Sequence, residues 1–168
     1  HTVSWIDCMN GANAKGLFAR GNLSSEQTQV EPKIKDKTFP ITPPISLVNK
    51  LSLPIFNFAY FHGNSLKKQP KKVHYEPFFY PLDAMHEWNK MYGPKGFYQY
   101  QSVVPKEIGK EVTQEMLNAI KKSGEGSFLA VLKTFGDRES GGMLSFPKHG
   151  VTLALDFPNR GTKTLKLL

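Results

Sequence analysis

The sequence holds a single cysteine, Cys8. One thiol excludes an intrachain disulfide and any cysteine-rich metal site, so Cys8 reads as a small, partly buried residue. Acids are also scarce: 14 Asp and Glu stand against 22 Lys and Arg, a formal charge of +8. That balance admits an anionic partner such as nucleic acid, phosphate or membrane headgroups, without choosing among them. No apolar run approaches the roughly 20 residues needed to span a bilayer. No Gly-rich nucleotide-binding fingerprint is present. The five histidines show no metal-ligand spacing, so no metal is expected, and His62, His74, His86 and His149 read as surface or loop residues. The expected setting is cytoplasmic or membrane-peripheral.

What is present suits one domain, since 168 residues can enclose a hydrophobic core of ordinary size. The chain opens on His1 and closes on the uncapped run TKTLKLL. Both ends read as cuts, so residues 1–168 are expected to be one domain of a longer protein.

Tyr80 to Pro105 is the most informative stretch. Asp83 precedes Met85, Trp88, Met91 and Tyr92, whose three- and four-residue spacing predicts a helix over 83–91, stopped by Gly93-Pro94. From Phe97 to Val104 the side chains alternate, so that Phe97, Gln99, Gln101 and Val103 share one strand face. Upstream, Thr2 to Asp7 and Leu17 to Ala19 flank a Gly/Asn-rich connection and predict paired strands. The prolines and lysines of 31–44 predict an irregular linker, and Pro54 favours a helix over the aromatic segment 54–61. Lys67, Lys68, Lys71 and Lys72 form the densest positive run, read either as a solvated loop or as a contact for an anionic membrane surface beside an aromatic segment.

Downstream, Ile108, Val112, Met116 and Ile120 repeat every four residues and predict a helix over 105–122 ended by Gly124. Ser127 to Phe135 and Val151 to Phe157 are predicted strands, with MLSF (143–146) as a possible strand between them. The expected fold is α+β: an antiparallel sheet of 2–7, 97–104, 127–135 and 151–157, covered on one face by helices at 83–91 and 106–122. If the last three strands share a sheet, one face carries Gln99, Gln101, Lys133, Thr152 and Asp156. Amides and charges so placed need partners. The residues alone leave two readings open, a ligand-binding face and a merely wet one.

Four ordered blocks add a resemblance: VSWID (3–7), the 80–105 stretch, SFLAVLKTFG (127–136) and LSFPKHGVTLALDFP (144–158). On these the chain resembles the substrate (cap) domain of flavin-dependent oxidases of the vanillyl-alcohol-oxidase and sugar-lactone-oxidase superfamily. The resemblance implies that the polar sheet face roofs the isoalloxazine ring of an FAD bound mainly by a separate domain. It implies substrate contacts at Trp5, Asn89, Gln99, Gln101, Leu129, Val131 and Phe135, with Thr152, Ala154 and Asp156 facing the cofactor. Some members carry Asn and Cys where this chain has Thr152 and Ala154, so the pocket differs in shape. The implied reaction is oxidation of a secondary alcohol of a sugar, polyol or lipid-linked sugar by hydride transfer to flavin. Lys133 is the charged candidate for catalysis, and the 168 residues alone are expected to be inactive. The alternative is a non-catalytic basic module that binds nucleic acid or anionic membrane; aromatics interleaved with cations on a sheet face, which nucleic acid would favour, are not evident.

Overall fold

A computed structural model describes residues 1–25, 37–65, 70–80, 83–145 and 147–168. From the amino end, β1 (Thr2–Ile6) and β2 (Gly16–Arg20) pair antiparallel around two 3₁₀ turns within Cys8–Asn13. β3 (Lys37–Thr38) later makes a two-residue parallel bridge to β4 (Met85–His86), between which lie helices α1 (Ser52–Ser65) and α2 (Tyr75–Phe79). A 3₁₀ helix at Trp88–Tyr92 leads into β5 (Phe97–Val104), followed by α3 (Gly109–Ser123), β6 (Ala130–Phe135), β7 (Gly150–Pro158) and α4 (Thr162–Leu165). The architecture is α+β, as expected.

The central sheet is antiparallel in the order β5-β7-β6. β7 sits in the middle, which explains its near-continuous burial compared with its neighbours. Its Leu153, Leu155 and Phe157 point to one side, where α3 lays Leu117 and Ile120 against them together with Cys8 and Ala130. Burying this stripe is the main source of stability at about 25 cal/mol per Å² of apolar surface. The Cys8–Asn13 turns dock against α3, where the Asn118 side chain accepts from Ala12 N–H at 2.9 Å. Gly11 stands there at φ 61°, and a Cβ would come within 2.5 Å of the same Asn118 oxygen. A second, smaller core of Val48, Leu53 and Tyr92 closes one end of the opposite sheet face over Phe97 and Phe128.

Three expectations differ from the structure. The segment 83–91 is not a helix: Met85–His86 is extended, Glu87 is left-handed at φ 56°, and only Trp88–Tyr92 coils, as 3₁₀. A 3₁₀ turn places residues i and i+3 on one side, so Trp88 and Met91 keep the spacing that suggested an α-helix. Second, β1 stays outside the central sheet. One edge is taken by β2, and beside β6 it is held by side chains: the Ser4 hydroxyl donates to Leu132 O, and the Trp5 indole N–H donates to Phe128 O at 3.1 Å. Third, Met143, Leu144 and Ser145 form an exposed turn instead of a strand, while Phe146 lies outside the described residues. Strand β6 also begins at Ala130, three residues later than expected.

The carboxyl end is clamped by one buried acid. Glu125, whose side chain is 2% exposed, meets Arg160 Nε at 3.0 Å and the Lys163 ammonium, and Arg160 also donates to Val48 O at 3.2 Å. The pair of cations ties α4 to the small core. Both cations are partly solvated, which trims the cost of losing their partner. Glu125→Gln, which keeps the shape and removes the charge, is expected to lower stability by about 1–2 kcal/mol, read as a shifted midpoint in urea. An unshifted midpoint would show that the clamp is energetically idle.

Candidate active site

Strand register assembles the polar face. Across β5 and β7, Gln99 pairs with Asp156, Gln101 with Ala154 and Val103 with Thr152. Across β7 and β6, Ala154 pairs with Val131 and Thr152 with Lys133. Directly paired residues of antiparallel strands project to the same side. Gln99, Gln101, Val131, Lys133, Thr152, Ala154 and Asp156 therefore share the face opposite α3. Phe135, two residues beyond Lys133, joins them.

The members of this face differ in access. Thr152 is fully buried, and Gln101 Nε2 donates to its hydroxyl at 3.1 Å. That bond fixes the amide's orientation and leaves one N–H and the carbonyl oxygen of Gln101 for another partner. Ala154 and Val131 are half-buried, while Gln99 and Lys133 are exposed. Trp5, Leu129, Val131, Lys133 and Phe135 line part of an open groove of about 1170 Å³ that runs round the edge of β6, between β1 and β2 and the first turns of α3. Gln99, Gln101, Thr152, Ala154 and Asp156 lie outside that groove, on β5 and β7, and Asn89 is exposed on the 3₁₀ helix. The structure thus brings the sheet residues together and leaves Asn89 at the margin.

Aromatic rings pack against one another where α1 approaches β1 and the start of β6. The Trp5 ring meets Tyr60 at 4.9 Å, and Phe56, stacked on Tyr60, meets Phe128 at 4.5 Å. Tyr60 was not among the expected site residues; its place in an aromatic run was visible, but its partner Trp5 is 55 positions away. Burial raises the Tyr60 pKa, so the phenol stays a neutral hydrogen-bonding group at physiological pH.

Asp156 is the outlier of the face. It is 1% exposed beneath the small core, and neither carboxylate oxygen has a hydrogen-bond partner among the described residues. Desolvation pushes its pKa up to about 6, and the nearby Gln99 amide offsets part of the rise without forming a bond of good geometry. Its backbone is firmly held: Asp156 N–H donates to the Ser127 hydroxyl at 3.1 Å, and that hydroxyl donates to Leu129 O at 2.7 Å. Above it, the buried Tyr92 phenol is also pushed upward, by desolvation first and then by the Asp156 charge. On the other face Cys8 is raised to about 11 by burial, which makes it a poor nucleophile and a structural residue.

Because the folded protein holds the Asp156 proton to about pH 6 and the unfolded chain releases it near the ordinary value of 3.8, this group favours the fold below pH 4. Its contribution is lost as pH rises from about 4 to 6. Asp156→Asn stays neutral throughout. The variant is therefore expected to gain stability relative to wild type between pH 4 and pH 7.5, by up to about 3 kcal/mol. Denaturation of both proteins at the two pH values reads this directly, and an equal stability gap at both would contradict an uncompensated acid.

No family model matches the chain. A search of curated proteins finds similarity to decaprenylphosphoryl-beta-D-ribose oxidase of Mycolicibacterium smegmatis (strain ATCC 700084 / mc(2)155), 32% identical over 170 residues. The match covers 94% of this chain and 36% of that protein. The chain spans about a third of the length of the curated relative it matches. Similarity sustained across nearly the whole chain makes that oxidase a homologue of it.

Proposed function

We propose that residues 1–168 form the substrate-binding (cap) domain of a longer FAD-dependent oxidoreductase that oxidises a secondary alcohol of a sugar, polyol or lipid-linked sugar. The observation that carries this reading is the strand register, which gathers Gln99, Gln101, Lys133, Thr152 and Asp156 on one face. The oxidase homologue, which by its name acts on decaprenylphosphoryl-beta-D-ribose, supports it independently.

The residues present fit a planar cofactor on this face. Half-buried Val131 and Ala154, paired across β6 and β7, give a low apolar strip flanked by the polar ends of Gln101 and Lys133. Ala154 has only a methyl group, so a ring could approach the strand closely there. When bound, FAD supplies the acceptor for a hydride from the carbinol carbon. The pyrophosphate and adenosine parts would be held outside these residues.

The chain's own contribution is orientation and charge. Gln101, steadied by Thr152, would offer its free N–H and carbonyl oxygen to the substrate hydroxyls. Thr152 would then act through Gln101, whose amide it holds. Leu129, Val131, Phe135 and Trp5 would bury the carbon skeleton and exclude water, with Asn89 at the rim. The hydroxyl proton must pass to a base as the hydride leaves, so that the alcohol becomes a ketone. Lys133, exposed on the groove and outside any ion pair among the described residues, would hold the negative charge that develops on the oxygen.

In the full-length protein, Lys133→Ala is expected to slow anaerobic reduction of the bound flavin by the alcohol about 10²–10³-fold, the usual cost of one preorganised donor. Lys122→Ala, on the exposed end of α3, should reduce at the wild-type rate. Thr152→Val should weaken substrate binding more than it slows reduction, because it loosens Gln101 without removing it. Unchanged flavin reduction and unchanged substrate affinity in Lys133→Ala would refute the assignment of that lysine.

A further inference from the structure

Helix α1 is apolar on both sides, but only one side is packed. Leu53 and Asn57 are buried, and Phe56 and Tyr60 stack toward Phe128 and Trp5. The outward stripe at positions 51, 55 and 58 follows the i, i+4, i+7 spacing of one helical face. Leu51 is 82% exposed, Ile55 72% and Phe58 67%; in the loop before the helix, Ile45 is 72% exposed. A helix apolar all round is ordinarily buried, so an open face of this kind marks an interaction surface.

The charge around the stripe narrows the choice of partner. Between Asp36 and Glu76 the sequence contains no acid at all, against Lys37, Lys50, Lys67, Lys68, Lys71 and Lys72. Of these, Lys67 and Lys68 lie outside the described residues, while Lys37, Lys50, Lys71 and Lys72 are exposed. Lys71 stands six residues after the last residue of α1, which keeps it within about 20 Å of the helix end whatever path the chain takes. Protein interfaces ordinarily mix signs at their rims, whereas an anionic bilayer presents one sign over an apolar interior. No helix of the described residues is long and apolar enough to cross a membrane, so contact through α1 is interfacial.

We propose that α1 and the loop before it are a membrane-docking surface: Leu51, Ile55 and Phe58, with Ile45, enter the headgroup–acyl boundary of an anionic bilayer while Lys50 and Lys71 meet lipid phosphates. The stripe supplies apolar burial and the lysines supply attraction, the two components that interfacial helices combine. This surface is distinct from the groove along β6. It rests on exposure and charge, not on the oxidase reading, and its test requires no turnover.

The probe is a set of vesicles of phosphatidylcholine with and without about a third phosphatidylglycerol, given to the full-length protein at low salt, where screening is weakest. The wild type is expected to sediment with the anionic vesicles and much less with the neutral ones, and to be released as salt rises. Ile55→Ser/Phe58→Ser should lower partitioning on the order of ten-fold or more, with an unchanged melting temperature, while Leu144→Ser on the exposed 143–145 turn should bind like wild type. As a check independent of that double variant's folding, Phe58→Trp should be quenched by brominated lipid beyond the quenching of the wild type's own tryptophans. Absence of vesicle binding, binding insensitive to the double variant, or no added quenching would overturn the proposal. So would protection of 51–58 from hydrogen exchange without vesicles, which would place the rest of the protein or a second copy on this face.

Discussion

Everything on the candidate face depends on β7 being held between β5 and β6 in one register. Because side chains alternate along a strand, a slip of one residue would send Leu153, Leu155 and Phe157 to the polar side and Thr152, Ala154 and Asp156 into the core. The apolar stripe packed by α3 therefore fixes the polar face opposite, although no core residue takes part in it. Two further devices lock the frame. Gly109 lets the start of α3 approach β7, where a Cβ would fall 2.5 Å from Val151 Cγ2, and Gly124 ends the helix at φ 67°. Packing and chemistry are two faces of one alternation.

The buried acids show how unevenly polar burial is resolved. Asp7 receives the Met9 N–H at 3.0 Å and the Asn57 amide at 2.6 Å on one oxygen and the Asn10 amide on the other. Glu125 meets two cations. Asp156 has neither, and it alone of the three lies on the face that register assembles. Burying an acid without partners costs stability, and such costs concentrate where a site needs an unusual proton affinity. The first two acids are structural by this contrast, holding β1 to α1 and α4 to the small core.

Alternation and four-residue periodicity made β5, β7 and α3 legible in the sequence, and with them the identity of the polar face. Each depends on local spacing that tertiary contacts reinforce. The segment 83–91 misled because Trp88 and Met91 satisfy a 3₁₀ turn as well as an α-helix, while the left-handed Glu87 that separates the two conformations carries no strong sequence mark. The placement of β1 was hidden for another reason: its ties to β6 run through the Ser4 hydroxyl and the Trp5 indole to carbonyls more than 120 positions away. Residue types named Thr152 and Asp156 as polar, but their burial follows from neighbours, Gln101 over one and Tyr92 beside the other, that only the assembled sheet supplies.

The central claim is that the polar face of β5-β7-β6 receives the ligand. The most direct measurement is a crystal structure of the full-length protein with FAD and a bound alcohol. The account predicts the isoalloxazine ring against the Val131–Ala154 strip, with the alcohol between the ring and the Gln101 and Lys133 side chains. A flavin seated elsewhere, with this face in bulk water, would contradict it.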